Sequence, residues 1–145
     1  MPETPAPTII AGGCQCGAVR YRAAGPLRHP HFCHCRMCQR AFGNVFAAFG
    51  SVATAGLQWL GERPAEYRSS PIARRGFCRH CGTPLTFQYD ARPDRIGLSL
   101  GSLDDPAAHP IVGHLGVESR VPWLHLGDGL PATETDLGSL SPPPA

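Results

Sequence analysis

An all-β domain is the fold class this chain predicts, and three observations carry the prediction. Gly 17 and Pro 16 among 145 residues punctuate the sequence every few positions, leaving little room for long helices. Between them, apolar and polar residues alternate in short runs with the period of a strand. Finally, seven cysteines fall into three tight groups: Cys14-Gln15-Cys16, Cys33-His34-Cys35-Arg36-Met37-Cys38 and Cys78-Arg79-His80-Cys81. Such spacings suit metal ligands, and a metal staple is what a compact β domain uses to hold distant strands together.

Residues 1–8, with Pro2, Pro5 and Pro7, read as a flexible start, and 139–145 as a flexible proline-rich tail. Residues 9–138 between them read as one zinc-binding domain without repeats. Val19-Arg20-Tyr21-Arg22 alternates as a half-buried strand does. Arg36 to Ala41 is the one segment that carries a short helix. Val45 to Phe49 is apolar and flanked by Gly43 and Gly50, which favours a buried strand. Leu57–Leu60 and Glu66–Ser69 read as a strand pair joined by the Gly61-Glu62-Arg63-Pro64 turn. Leu85–Tyr89 is rich in β-formers, and Arg95–Leu100 and Ile111–Val117 repeat the pattern.

The hydrophobic fraction of 42% is ordinary for a globular chain, and the net charge of +2 lacks the basic footprint of a nucleic-acid binder. No apolar run reaches membrane-spanning length, and Met1 to Gly13 lacks the features of a secretory signal. A cytoplasmic location follows as the expectation, and there closely spaced thiols are ligands more often than disulfides.

Seven ligands divide into four and three. Cys14 and Cys16 share a strand face, and Cys78 and Cys81 are spaced for a knuckle whose turn Gly82 completes with a positive φ. Together they predict a closed four-thiolate structural zinc; two pairs of inert buried cysteines or an iron–sulfur cluster are the alternatives. Cys33, Cys35 and Cys38 predict a second zinc with an open fourth position, where an incoming thiol would be held as thiolate. The competing arrangement closes that site with His31, His34, His80 or a more distant histidine, and a site that is empty or redox-active is the remaining one. Zinc is therefore expected at two per chain, the second site less fully occupied.

Three stretches carry a family resemblance: Gly12-Gly13-Cys14-Gln15-Cys16-Gly17-Ala18-Val19-Arg20-Tyr21, Cys33 through Gly43, and Phe77 through Leu85. A looser likeness runs from Leu103 to His114 and from Trp123 to Pro131. In these the chain resembles the glutathione-dependent formaldehyde-activating enzyme family, which includes the centromere protein V domain. The resemblance spans about residues 12 to 131. It implies an Mss4-like β-tent of antiparallel sheets, a structural zinc on Cys14, Cys16, Cys78 and Cys81, and a second zinc on Cys33, Cys35 and Cys38. It also implies addition of glutathione to formaldehyde, a carbon–sulfur lyase reaction read backwards.

Arg36, Arg40, Arg74, Arg75 and Arg79 crowd around the two later cysteine groups. Guanidinium groups can hold the carboxylates of glutathione, and Arg36 and Arg40 are the candidates chosen here. The alternative is a solvated basic surface, or pairing with Glu62 and Glu66. His34 and His80 are candidates for donating to a thiolate or moving a proton. Trp59, Trp123, Phe42 and Phe46 are core candidates. The expected function is a zinc-dependent enzyme joining a small thiol to a small aldehyde, against two rivals: a non-catalytic thiol or metal carrier, and a zinc-stapled interaction module.

Overall fold

The computed structural model describes residues 8–140. Eleven strands and one helix follow in order: β1 (Ile9–Gly13), β2 (Arg20–Ala24), β3 (Arg28–Cys33), α1 (Arg36–Phe42), β4 (Ala47–Ala53), β5 (Leu57–Trp59), β6 (Ala65–Ser70), β7 (Ala73–Phe77), β8 (Pro84–Tyr89), β9 (Arg95–Ser99), β10 (Gly113–Leu115) and β11 (Ala132–Thr133). The domain is mainly β, as the composition predicted. The expectation of flexible ends concerns 1–7 and 141–145, which lie outside the described residues, and residues at the inner edges of those ends.

The strands form two sheets. One holds β1, β2 and β5; the other runs β11-β10-β3-β4-β9-β8-β7-β6. Pairing is antiparallel except where β10 lies parallel to both β3 and β11. One expected pairing is corrected here. β5 and β6 are not partners, although four of the five residues between them had read as a hairpin turn. β5 instead joins the small sheet, with Trp59 opposite Tyr21, while β6 forms an outer strand of the large sheet against β7. The aromatic pair explains the choice: the Tyr21 and Trp59 rings meet edge to face with centroids 5.8 Å apart.

Packing between the sheets forms the main core, with Ile10, Val19, Tyr21, Val52, Leu85 and Leu98 buried together with Cys14 and Cys78. The Tyr21 hydroxyl reaches Ser102 Oγ at 2.7 Å, and Gly12 bridges to Leu103, so polar contacts also tie the small sheet to the chain after β9. A second cluster gathers Cys38, Ala47 and Phe49, with Cys33, Cys35, Phe42 and Phe87 packed on it. β4 serves both clusters because its side chains alternate: Phe49 belongs to the second and Val52 to the first. Trp59 packs against the core as expected and Phe42 against the second cluster. Trp123 corrects its prediction, since it is 68% exposed.

Candidate metal centres

The four-thiol set is assembled from two turns. Cys14 and Cys16 follow β1, and Cys78 and Cys81 lie in the turn between β7 and β8. Their four sulfurs lie within 4.8 Å of one another. Cys14 Sγ is 3.6 Å from Cys16 Sγ, which is 3.7 Å from Cys78 Sγ. Backbone N–H groups point at the sulfurs: Val19 donates to Cys14 at 3.2 Å and His80 donates to Cys78 at 3.4 Å. Gly82 has φ +81°, the left-handed turn expected of it, and its N–H donates to Cys78 O at 2.8 Å.

Thr83 links the two halves of this set. Its hydroxyl accepts from the Gln15 N–H at 3.0 Å and so turns its own proton toward Cys81 Sγ, 3.1 Å away. The Thr83 hydroxyl, with the Thr83 and Cys16 backbones behind it, pulls the Cys81 thiol down to about 5. A sulfur that is anionic near neutrality suits a cation.

The three-thiol set comes from one short segment. Cys33 ends β3, Cys35 caps α1, and Cys38 lies in its first turn. The sulfurs again fall within 4.8 Å of one another. Cys35 Sγ accepts the Cys38 N–H at 3.3 Å, so one atom both caps the helix and faces the cluster. Hydrogen bonds from the Cys33 and Cys38 thiols hold Cys35 well below the usual thiol range, and Cys33 is pushed up in return. Among the described residues no histidine nitrogen or carboxylate completes this set.

The candidate histidines are engaged elsewhere. His31 Nδ1 contacts His29 O at 2.8 Å, and exposed His80 faces Glu62 at 2.8 Å. His34 is buried, and its Nε2 lies 2.9 Å from His114 Nδ1. His114 Nε2 in turn lies 2.8 Å from Asp128 Oδ2. The Asp128 carboxylate accepts from His114 Nε2–H, His114 Nδ1 accepts from His34 Nε2–H, and His34 Nδ1 is left as a buried lone pair without a partner. Burial, then the nearby positive charge of Arg120, favours the neutral His34 ring. His34 thus pins the Cys33–Cys35 segment through its ring, while Gln39 Nε2 donates to His34 O at 2.7 Å and to Ser119 O at 3.0 Å.

Among the arginines, sequence proximity misleads. Arg36 bonds its own helix neighbour Gln39, Arg40 and Arg79 are exposed, and Arg74 pairs with Glu66 at 3.1 Å. Only Arg75 enters the cluster: its Nη2 donates to Cys38 Sγ at 3.3 Å, with the guanidinium 4.8 Å above the Phe87 ring. Arg75 and Phe42 also border a cavity of about 330 Å³ with largely apolar walls, which include Tyr67 and Phe77.

Thr83, Gln39, His114, Asp128 and Gly116 are the residues that reading the sequence left without a role. Gly116 has φ +67°, and a Cβ there would sit 2.9 Å from the Cys35 backbone nitrogen. For Thr83 the two-residue offset from Cys81 was a usable signal. For His114 and Asp128 there was none, because their register with His34 exists only after β10 has paired with β3.

All-sulfur donor sets with N–H groups aimed at the sulfurs fit a thiophilic divalent ion, so both clusters can hold a metal. A protein of Schizosaccharomyces pombe named as an uncharacterised lyase is 33% identical over 78 residues, 54% of this chain and 56% of that protein. The chain thus matches little more than half of that relative. A Halomonas elongata protein provisionally named as a glutathione-dependent formaldehyde-activating enzyme is 26% identical over 129 residues, 81% of each chain. The crystal structure of a Rhodobacter sphaeroides protein shares the fold, with a TM-score of 0.54 at 21% identity, over 85% of this chain and 99% of that one. The sequence profile described as "Glutathione-dependent formaldehyde-activating enzyme" matches residues 9–116, and the chain belongs to that family.

Proposed function

We propose that this chain is a zinc-dependent enzyme of the carbon–sulfur lyase class, joining glutathione or a similar small thiol to a small aldehyde such as formaldehyde. The observation that carries the reading is the set of Cys33, Cys35 and Cys38 with no fourth side chain among the described residues. Family membership supports it, as does a cavity of about 330 Å³ bordered by Arg75 and Phe42, two neighbours of this set, within the range of about 300–1,000 Å³ usual for small-molecule sites.

Cys14, Cys16, Cys78 and Cys81 would hold a structural zinc and Cys33, Cys35 and Cys38 a second one. Zinc on the latter set supplies a Lewis acid that favours the thiolate form of an incoming thiol. In the reaction a bond forms between the thiol sulfur and the carbonyl carbon. The carbonyl π electrons pass to oxygen, and the proton given up by the thiol ends there, leaving an S-hydroxymethyl product. No oxidant or reductant is consumed.

The chain's own residues provide position and a dry wall. β3 and α1 converge the three sulfurs, Gln39 and His34 fix the segment between them, and Phe42 and Phe77 line the adjoining cavity. Thiol addition to an aldehyde is facile, so holding both partners together is the main contribution required. The functional unit is residues 9–138, acting in a reducing cytoplasm that keeps seven thiols available. No described helix is long and apolar enough to cross a membrane.

The test is metal content followed by titration with glutathione. Two zincs per chain, glutathione binding and NMR exchange between formaldehyde and its adduct are expected. Binding without exchange would make the protein a carrier, and one zinc with no binding would refute the reading.

A further inference from the structure

Buried charge in a protein is paired or bound to an ion of opposite sign. Four arginines of this chain obey that rule at the surface: Arg20, Arg68, Arg74 and Arg92 each face a carboxylate and are 41–57% exposed. Arg75 is only 5% exposed, yet no carboxylate lies within ion-pair distance of it among the described residues. Its Nε and Nη1 are buried without a partner. What surrounds the guanidinium is the Phe87 ring at 4.8 Å, the Phe49 ring at 5.9 Å and Cys38 Sγ at 3.3 Å from Nη2. Aromatic faces return only part of the desolvation cost of a cation. The counter-charge has to come from the sulfurs.

We infer that Arg75 is the resident counter-cation of the three-cysteine centre and makes its open position selective for anionic ligands, the thiolate of a substrate above all. The inference rests on the reading of Cys33, Cys35 and Cys38 as a metal centre with an exchangeable position. Three thiolates and a divalent ion sum to −1, and Arg75 brings the total to zero. A fourth thiolate then restores −1. Without Arg75 the same ligand would build −2 beside the packed Phe42, Phe49 and Phe87 side chains, where charge is poorly solvated. A neutral ligand such as imidazole adds no charge and gains nothing from the guanidinium. The Nη2–H···Sγ bond also draws electron density from Cys38, which favours the incoming sulfur over the protein's own as the nucleophile.

The position on β7 suits the role. Arg75 sits opposite Phe87 on β8 and Tyr67 on β6, so its side chain lies inside the sheet's second cluster, while its neighbour Arg74 faces solvent and pairs with Glu66. The two adjacent arginines therefore differ in task because the strand period sends them to opposite faces.

The experiment uses cobalt(II) in place of zinc in the full chain and compares wild type with Arg75→Met, Arg75→Gln and Arg75→Lys. Sulfur-to-cobalt charge-transfer absorption reports glutathione binding, ligand-field bands report thiocyanate and imidazole, and competition with a chromophoric chelator reports metal affinity of the second site. Loss of the charge should weaken second-site metal affinity and lower the ratio of glutathione to imidazole affinity, each by about tenfold or more, while Arg75→Lys stays within about threefold of wild type. Thiocyanate should follow glutathione. Should Arg75→Met fail to fold, Arg75→Gln and Arg75→Lys give the same comparison. Equal losses for anionic and imidazole ligands, or unchanged affinities in the neutral variants, would overturn the assignment while leaving the proposed function standing. A wild-type protein that prefers anions yet rejects glutathione would refute the thiol substrate and keep Arg75. One metal per chain would remove both.

Discussion

The two cysteine clusters use the same atoms and differ in reach. In the first, Cys16 and Cys78 stand 62 residues apart and join the end of β1 to the turn between β7 and β8. In the second, all ligands come from the end of β3 and the first turn of α1. A ligand set that spans two sheets contributes to folding, because the metal closes a long loop that the unfolded chain leaves open. A local set closes almost none, so its bound ion is free to serve chemistry. Surroundings follow the same division: Cys14 and Cys78 belong to the main core, while Cys38 of the second set lies against the buried Arg75.

The largest expected effect lies in the first cluster. Cys78→Ser should remove the staple between sheets, with a loss that approaches the scale of about 10 kcal/mol seen for structural zinc, and yield unfolded or aggregated protein by circular dichroism. In contrast, Cys35→Ser should leave the melting temperature within a few degrees of wild type while abolishing turnover. Serine keeps an oxygen to accept the Cys38 N–H, so the cap on α1 survives; Cys35→Ala should cost about 1 kcal/mol more. If Cys78→Ser and Cys35→Ser melt alike, the division into staple and reactive site is wrong.

Smaller effects probe what holds the second segment in place. His114→Ala should leave buried His34 without its partner and cost about 1–3 kcal/mol, measured by urea denaturation. Gly116→Ala meets both a left-handed backbone and the Cys35 amide, so about 1–3 kcal/mol is expected, with metal lost from the second site before the first. Tyr21→Phe removes one buried bond to Ser102 and should cost about 1 kcal/mol without changing metal content.

Particular residues show what local pattern conveys. The cysteine groups, the turn at Gly82 and the helix from Arg36 were legible because each depends on neighbours within a few positions. β3 was not: Pro30, a left-handed His29 and a bulge between Arg28 and His31 disguise a strand that nonetheless lies between β4 and β10. β7 was hidden because Arg74 and Arg75 read as carboxylate contacts or a solvated basic surface, while Arg75 is buried against Cys38. The mispairing of β5 with β6 shows a further limit: alternation gives a strand its faces but not its partners. The His34–His114–Asp128 line and the outward placement of Trp123 likewise depend on tertiary register.

Stepwise removal of metal by a chelator, with released zinc and far-ultraviolet circular dichroism followed together, tests the central claim most directly. The first equivalent should leave with the spectrum unchanged, and the second should leave as the fold collapses. Unfolding with the first equivalent, or release of both in one step from a still-folded chain, would contradict the assignment of one cluster to the fold and the other to chemistry.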